Sequence, residues 1–176
     1  MLEATRPFGA PVRAYVSRFI THGVAREPWQ ERAYWRLRRE IFCAELGLFA
    51  SADRERDEHD AQAVPIVAVA HSAGTPEEVV GVVRTYATAD GVWYGGRLGV
   101  APAYRVRPQV GTGLIAAAVA TASGHGCERF LAHVLAENVA YFRRHGFQAR
   151  GELDVCGRRH VLMEASLARA ARRRAA

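Results

Sequence analysis

The sequence of 176 residues contains no lysine; all 24 basic residues are arginines. No internal lysine is therefore open to modification. Cysteine is scarce, with Cys43, Cys127 and Cys156 alone. An odd number without metal-ligand spacing argues against a disulfide framework and a zinc site, and suits a reducing compartment. No apolar run is long enough to cross a membrane. The first residues, MLEATRPFGAPVRAY, lack the charged-then-apolar pattern of a secretory signal. The expectation is a cytoplasmic protein with no membrane segment and no metal. Excess charge is also modest: the formal net charge is +6. Arg169, Arg172, Arg173 and Arg174 supply four of those charges, which leaves +2 on the body. That is not the field of a committed nucleic-acid binder.

What is present suits one globular unit. A hydrophobic fraction of 49% supports a sizeable core in a chain of 19.3 kDa. No internal repeat is visible. Residues 1–167 read as a single domain, and residues 168–176 as an arginine-rich, solvated tail. After a loose lead-in over residues 1–12, Arg13–Ile20 alternates like an edge strand. Glu27 and Pro28 open a helix, with Ala33, Leu37, Ile41 and Ala44 at helical spacing and Gly47 as its stop. The acidic stretch SADRERDEHD follows. Ala63–His71, Val79–Tyr86 and Val92–Val100 read as strands, with turn signals between them. The last two elements, Gln148–Val155 and Arg159–Leu167, read as a hairpin through Cys156–Gly157.

The stretch Val92–Val134 organises the chain. It reads as a strand, a turn, a glycine-bearing loop, an alanine-rich helix and a second strand. A strand–helix–strand unit of this length places its two strands parallel. Where parallel strands part, their carboxyl ends open a ligand crevice. Gly111 and Gly113 mark the expected helix start, with Thr112 as a candidate cap. Free N–H groups and the helix dipole there favour a phosphate.

These residues carry a family resemblance. Leu98, Gly99, Val100 and Pro102, then Tyr104–Arg105, then Gly111 and Gly113 resemble the acyl-CoA-binding core of the GNAT acetyltransferases. Asn138–Phe147 (NVAYFRRHGF) resembles the last helix of that family. The resemblance covers roughly residues 30 to 167. It implies an α/β (mixed α+β) GNAT fold: a central, mixed, mostly antiparallel sheet, a parallel β-α-β core and flanking helices. RLRREIF, GGRLGV and GRRHVLMEASL further resemble a bacterial subgroup encoded in nitrogen-starvation gene clusters. Two positions depart from the family pattern. Pro108 stands where the family has glutamine or arginine, flanked by Arg107 and Gln109. The order Tyr141–Phe142 puts phenylalanine at the usual tyrosine position.

The resemblance implies acyl transfer, with acetyl-CoA or another acyl-CoA as co-substrate and a small-molecule amine as acceptor, by direct attack in a ternary complex. The CoA arm is expected on Leu98, Val100 and Asn138. Its pyrophosphate is expected on the N–H groups of Val110, Gly111, Thr112 and Gly113, with Arg105 and Arg107 adding charge. A homodimer is a family habit. His133, near the end of the second parallel strand, is the candidate base, since a neutral imidazole accepts a proton near neutral pH. Glu137 is a second candidate, a water chain with no single essential base is an equal alternative, and Tyr141 is the nearest phenol to act as an acid. Asp57, Glu58 and Asp60 read as an acidic acceptor wall suited to a cationic amine. Arg97 and Arg84 would instead suit an acidic acceptor, and the sequence leaves that conflict open. Two alternatives remain. Arg38, Ile41, Phe42 and ERDEHD resemble the opening of acyl-homoserine-lactone synthases. Phe142 and the lack of an acid on VWYGGRLGV allow a CoA-binding module without catalysis.

Overall fold

A computed structural model of the chain describes residues 19–50, 55–155 and 157–167. The lead-in, Asp53, Cys156 and the arginine-rich tail lie outside the described residues. Among the described residues, alternating and continuous apolar runs produce seven strands: β1 (Phe19–Val24), β2 (Val64–Ser72), β3 (Thr75–Ala89), β4 (Val92–Val100), β5 (Arg129–Leu135), β6 (Phe147–Val155) and β7 (Arg158–Ala165). They form one sheet in the order β1-β2-β3-β4-β5-β7-β6. Only β4 and β5 are parallel; every other pair is antiparallel. The expected mixed, mostly antiparallel sheet is therefore present. None of the described helices is long and apolar enough to cross a membrane.

The central strands are buried on both faces, because helices cover each side. Helix α2 (Pro108–Gly124) packs Val110, Leu114, Ala118 and Ala122 against Ile66, Ala68, Val80 and Val83. Helix α1 (Pro28–Arg39) packs Ala33, Tyr34 and Leu37 against Val67, Val69, Val79 and Val82. The short helix α3 (Val139–Arg144) follows β5 through a single 3-10 turn. Glu27 caps α1 in a reciprocal capping box with Gln30, and Pro28 sits at its first position.

Of the strand expected over Arg13–Ile20, residues 13–18 lie outside the described residues; Phe19 and Ile20 belong to β1, which runs on to Val24. Ile20 and Val24 pack inward and His22 shares their face, while Phe19, Thr21 and Gly23 are exposed. Ala44 was expected on the apolar stripe of the first helix, yet it is exposed. The helix becomes a π-helix over Glu40–Glu45. Its wider turn shifts the helical phase, so Phe42 enters the core instead. Thr112 does not cap α2, because that helix starts at Pro108 with Arg107 at the cap position.

Close packing of α2 rests on the strand beneath it as well as on its alanines. A Cβ on Gly81 of β3 would lie 2.7 Å from Leu114 Cδ1 and 3.1 Å from Val110 Cγ1. Gly81→Val is expected to lower unfolding free energy by about 1–3 kcal/mol through overpacking, measured by urea denaturation. A cost near zero would show that α2 moves outward freely.

Candidate active site

The crevice begins with an irregularity in β4. Val82 pairs with Gly99 and Arg84 pairs with Gly96, so Val83 alone faces both Arg97 and Leu98. This is a β-bulge, and Arg97 adopts φ +55° within it. A non-glycine residue in that region costs about 1–3 kcal/mol and persists only when its surroundings hold it. Arg97 is held. Its Nε donates to Glu55 Oε1 at 2.9 Å and its Nη2 to the Glu55 carbonyl at 2.9 Å and Asp57 Oδ2 at 3.3 Å. Its guanidinium lies 4.6 Å from the Phe49 ring centroid.

The same carboxylates belong to a buried network. Arg38 donates from Nε and Nη2 to Glu55 at 2.9 and 2.6 Å, and from Nη1 to Asp60 at 2.7 Å and to Tyr34 Oη at 3.0 Å. Arg84 grips Asp57 at 2.7 and 2.5 Å and reaches Asp60 at 2.7 Å. Three arginines thus face three carboxylates, Glu55, Asp57 and Asp60. Burial opposes the charge on Asp60, but the bonds from Arg38 and Arg84 prevail and bring its carboxyl down to about 2. Asp57 is likewise lowered against its burial by Arg84 and Arg97. The expected acidic wall is therefore corrected. Asp57 and Asp60 are neutralised by arginines, and Glu58 points to solvent beside His59. The conflict between Arg84, Arg97 and the acidic stretch disappears, because these groups pair with each other.

Beyond the bulge the parallel strands separate. Their pairing runs from Val92↔Arg129 to Gly95↔Ala132 and stops, while β5 continues alongside β7 to Leu135. A cavity of about 190 Å³ fills the gap and reaches both faces of the sheet. On the α2 side it is lined by Leu98, Ile115, Ala118, Phe130, Asn138 and Phe142. On the α1 side the lining includes Phe42, Leu48, Phe49, Arg97, His133 and His160.

Two imidazoles therefore enter the cavity. Burial, and then the neighbouring His160, hold the His133 pKa below its ordinary 6.5, which favours the neutral base. His160 Nδ1 lies 2.8 Å from the Arg158 carbonyl. A carbonyl can only accept, so that nitrogen carries the proton and a neutral His160 presents its Nε2 lone pair.

Other candidates sit elsewhere. Tyr141 faces away from the cavity: its hydroxyl lies 2.7 Å from where a Cβ on Gly111 would stand. Phe142, about 100° round the helix, takes the cavity position and packs on Phe147. Glu137 is exposed and pairs with Arg158 at 3.1 Å. Arg105 is a clamp, bound to Glu45 at 2.5 and 2.6 Å and to the Val100 carbonyl at 3.0 Å. Because α2 begins at Pro108, the helix N-terminus nearest the crevice consists of Arg107, Pro108, Gln109 and Val110. Gly111, Thr112 and Gly113 follow inside the helix. Gly113 is small because the His22 ring of β1 packs against it, and Thr112 Oγ1 lies 3.5 Å from His145 Nε2.

A helix end suited to an anion thus stands in the same β4–α2–β5 unit as two parallel strands that part beyond a bulge. The chain belongs to the acetyltransferase (GNAT) family, whose model matches residues 19–147. It is an N-acetyltransferase by class. A protein from Lactobacillus plantarum assigned to the N-acetyltransferases shares 25% identity and a TM-score of 0.71, with 86% of this chain and 99% of that chain covered. An acyl-CoA N-acyltransferase from Pseudomonas aeruginosa aligns at 19% identity and a TM-score of 0.64, covering 84% and 99%. The NatC complex bound to Gag peptide and CoA gives 16% identity and a TM-score of 0.65, covering 83% and 97%. No curated protein sequence matches the chain.

The network should be visible in acid. Asp60 titrates near 2 in the fold against an ordinary 3.8. Its contribution, about 2 kcal/mol, is complete above pH 4 and is lost as pH falls towards 2. Asp60→Asn is expected to cost about 3–5 kcal/mol at pH 7, since Arg38 and Arg84 lose a buried partner. It should also flatten the acid limb of stability against pH, as followed by denaturant titration.

Proposed function

We propose that the protein transfers an acyl group, acetyl in the first instance, from CoA to the primary amine of a small cytoplasmic metabolite by direct attack in a ternary complex. The observation that carries this reading is the cavity between β4 and β5, entered by His133 and bordered by the Arg97 bulge. The pantetheine arm runs along Leu98 and Val100 into the gap, with Asn138 at its edge. The N-terminus of α2 and Arg107 receive the pyrophosphate. A backbone N–H at the carboxyl end of β4 polarises the thioester carbonyl. His133 accepts the amine proton, and the thiolate leaves without a phenol beside it. Residues 1–167 act as one catalytic domain, and residues 168–176 as an appendage.

Two measurements test this. Calorimetry should show acetyl-CoA binding in the micromolar range, about −8 kcal/mol. Gln109 is exposed at the second position of α2. A glutamate there suits the helix dipole but repels a pyrophosphate. Gln109→Glu is expected to preserve the melting temperature and weaken acetyl-CoA binding about tenfold or more; unchanged affinity would remove the pyrophosphate from this helix end.

For the chemistry, kcat/KM should fall as pH drops below 6.5, where His133 takes up a proton. His133→Ala is expected to lower kcat by about 10²–10⁴-fold and abolish that limb. A limb that survives the substitution would assign the proton transfer to another group.

A further inference from the structure

The acceptor side of the cavity has a character that the acidic sequence around it conceals. Its wall on the α1 side combines Phe42, Leu48, Phe49, Leu135 and Val155 with His133 and His160. Among the described residues, no carboxylate lines it, and Arg97 is its one charged member. Glu55 and Asp57, the acids that reach Arg97, are already bonded to Arg38, Arg84 and Arg97. Glu58 faces solvent and Glu137 pairs with Arg158. The reacting amine can lose its proton to an imidazole. A second ammonium on the same molecule would find no counter-charge among the described residues of this wall, and an unpaired cation taken from water carries a heavy desolvation cost. An acceptor carboxylate fares little better, because Arg97 already holds Glu55 and Asp57.

We infer that the acceptor is a monoamine with an uncharged, apolar body, aliphatic or aromatic, seated against Phe42, Leu48 and Phe49. This rests on the N-acyltransferase reading above and narrows it: polyamines, aminoglycosides and free amino acids are poor substrates. The attacking nitrogen forms the amide bond as the thioester C–S bond breaks. The nitrogen's proton goes to the imidazole, and CoA leaves as thiolate.

Matched amines isolate the second charge. CoA release from acetyl-CoA is measured with pentylamine against 1,5-diaminopentane, and with phenethylamine against kanamycin. The monoamine of each pair is expected to show kcat/KM at least about 100-fold higher. Val155→Asp adds a carboxylate to the cavity wall from the edge strand β6 and should narrow the pentylamine preference by about tenfold or more. Leu48→Asp, from the segment that follows α1, is the second variant should the first fold poorly, with acetyl-CoA calorimetry as the check on folding. Equal or better turnover of the diamine or kanamycin by the parent protein overturns this inference and leaves the acyltransferase reading standing. An unchanged preference in folded Val155→Asp and Leu48→Asp also overturns it. Turnover of no amine by a protein that binds acetyl-CoA overturns both.

Discussion

The structure depends on one residue held in an unfavourable conformation. Arg97 turns β4 through a left-handed backbone angle, and the bulge it makes precedes the gap between β4 and β5. Without that gap there is no cavity. The conformational cost, about 1–3 kcal/mol, is offset by charge-assisted bonds to Glu55 and Asp57. Those acids are fixed in turn by Arg38 and Arg84. Strain at the bulge is therefore supported from α1 and β3.

A network of this kind is weak evidence for stability by itself, because each buried ion first loses its hydration. Its effect here is geometric. Arg38 on α1 and Arg84 on β3 bind the acidic stretch from two directions and bring Glu55 and Asp57 up against the bulge. The charges also cancel within the cluster, three against three. The cavity beside it is left apolar, although the adjoining sequence reads ERDEHD. On the proposed function, the helix end takes the anionic cofactor and this apolar cavity the acceptor.

How much of this was legible followed from the range of the interactions. The β4–α2–β5 core was readable because its signals are local: glycine, proline and a run of alanines within one stretch. Its residues also carried the family resemblance. The start of α2 was misplaced although the signal was present: Pro108 looked like a departure from a motif, whereas proline at the first helical position is a start signal. Burial of Arg38 was legible too. Tyr34, Leu37, Arg38 and Ile41 follow helical spacing, so Arg38 falls on the apolar stripe. The partners of the acids were not legible. Arg38 and Glu55 are 17 residues apart, and Arg97 and Asp57 are 40. Periodicity carries no information about pairs at such separations. The acidic stretch therefore read as a wall for cations when it is a clamp on arginines.

The absence of lysine acquires a structural meaning in this light. Arg97 makes three bonds in different directions, to a carboxylate oxygen, a backbone carbonyl and a second carboxylate, while stacking on Phe49. A planar guanidinium with five donors does this with its geometry set in advance; a lysine ammonium offers a compact point charge on a flexible stem. Burial would also press a lysine towards neutrality. By contrast, Arg38 and Arg84, held by their acids, are driven above the ordinary arginine value despite burial. Arginine thus keeps the clamp charged at any pH where the protein folds. An enzyme that acylates amines also gains from a framework whose own buried cations cannot compete as acceptors.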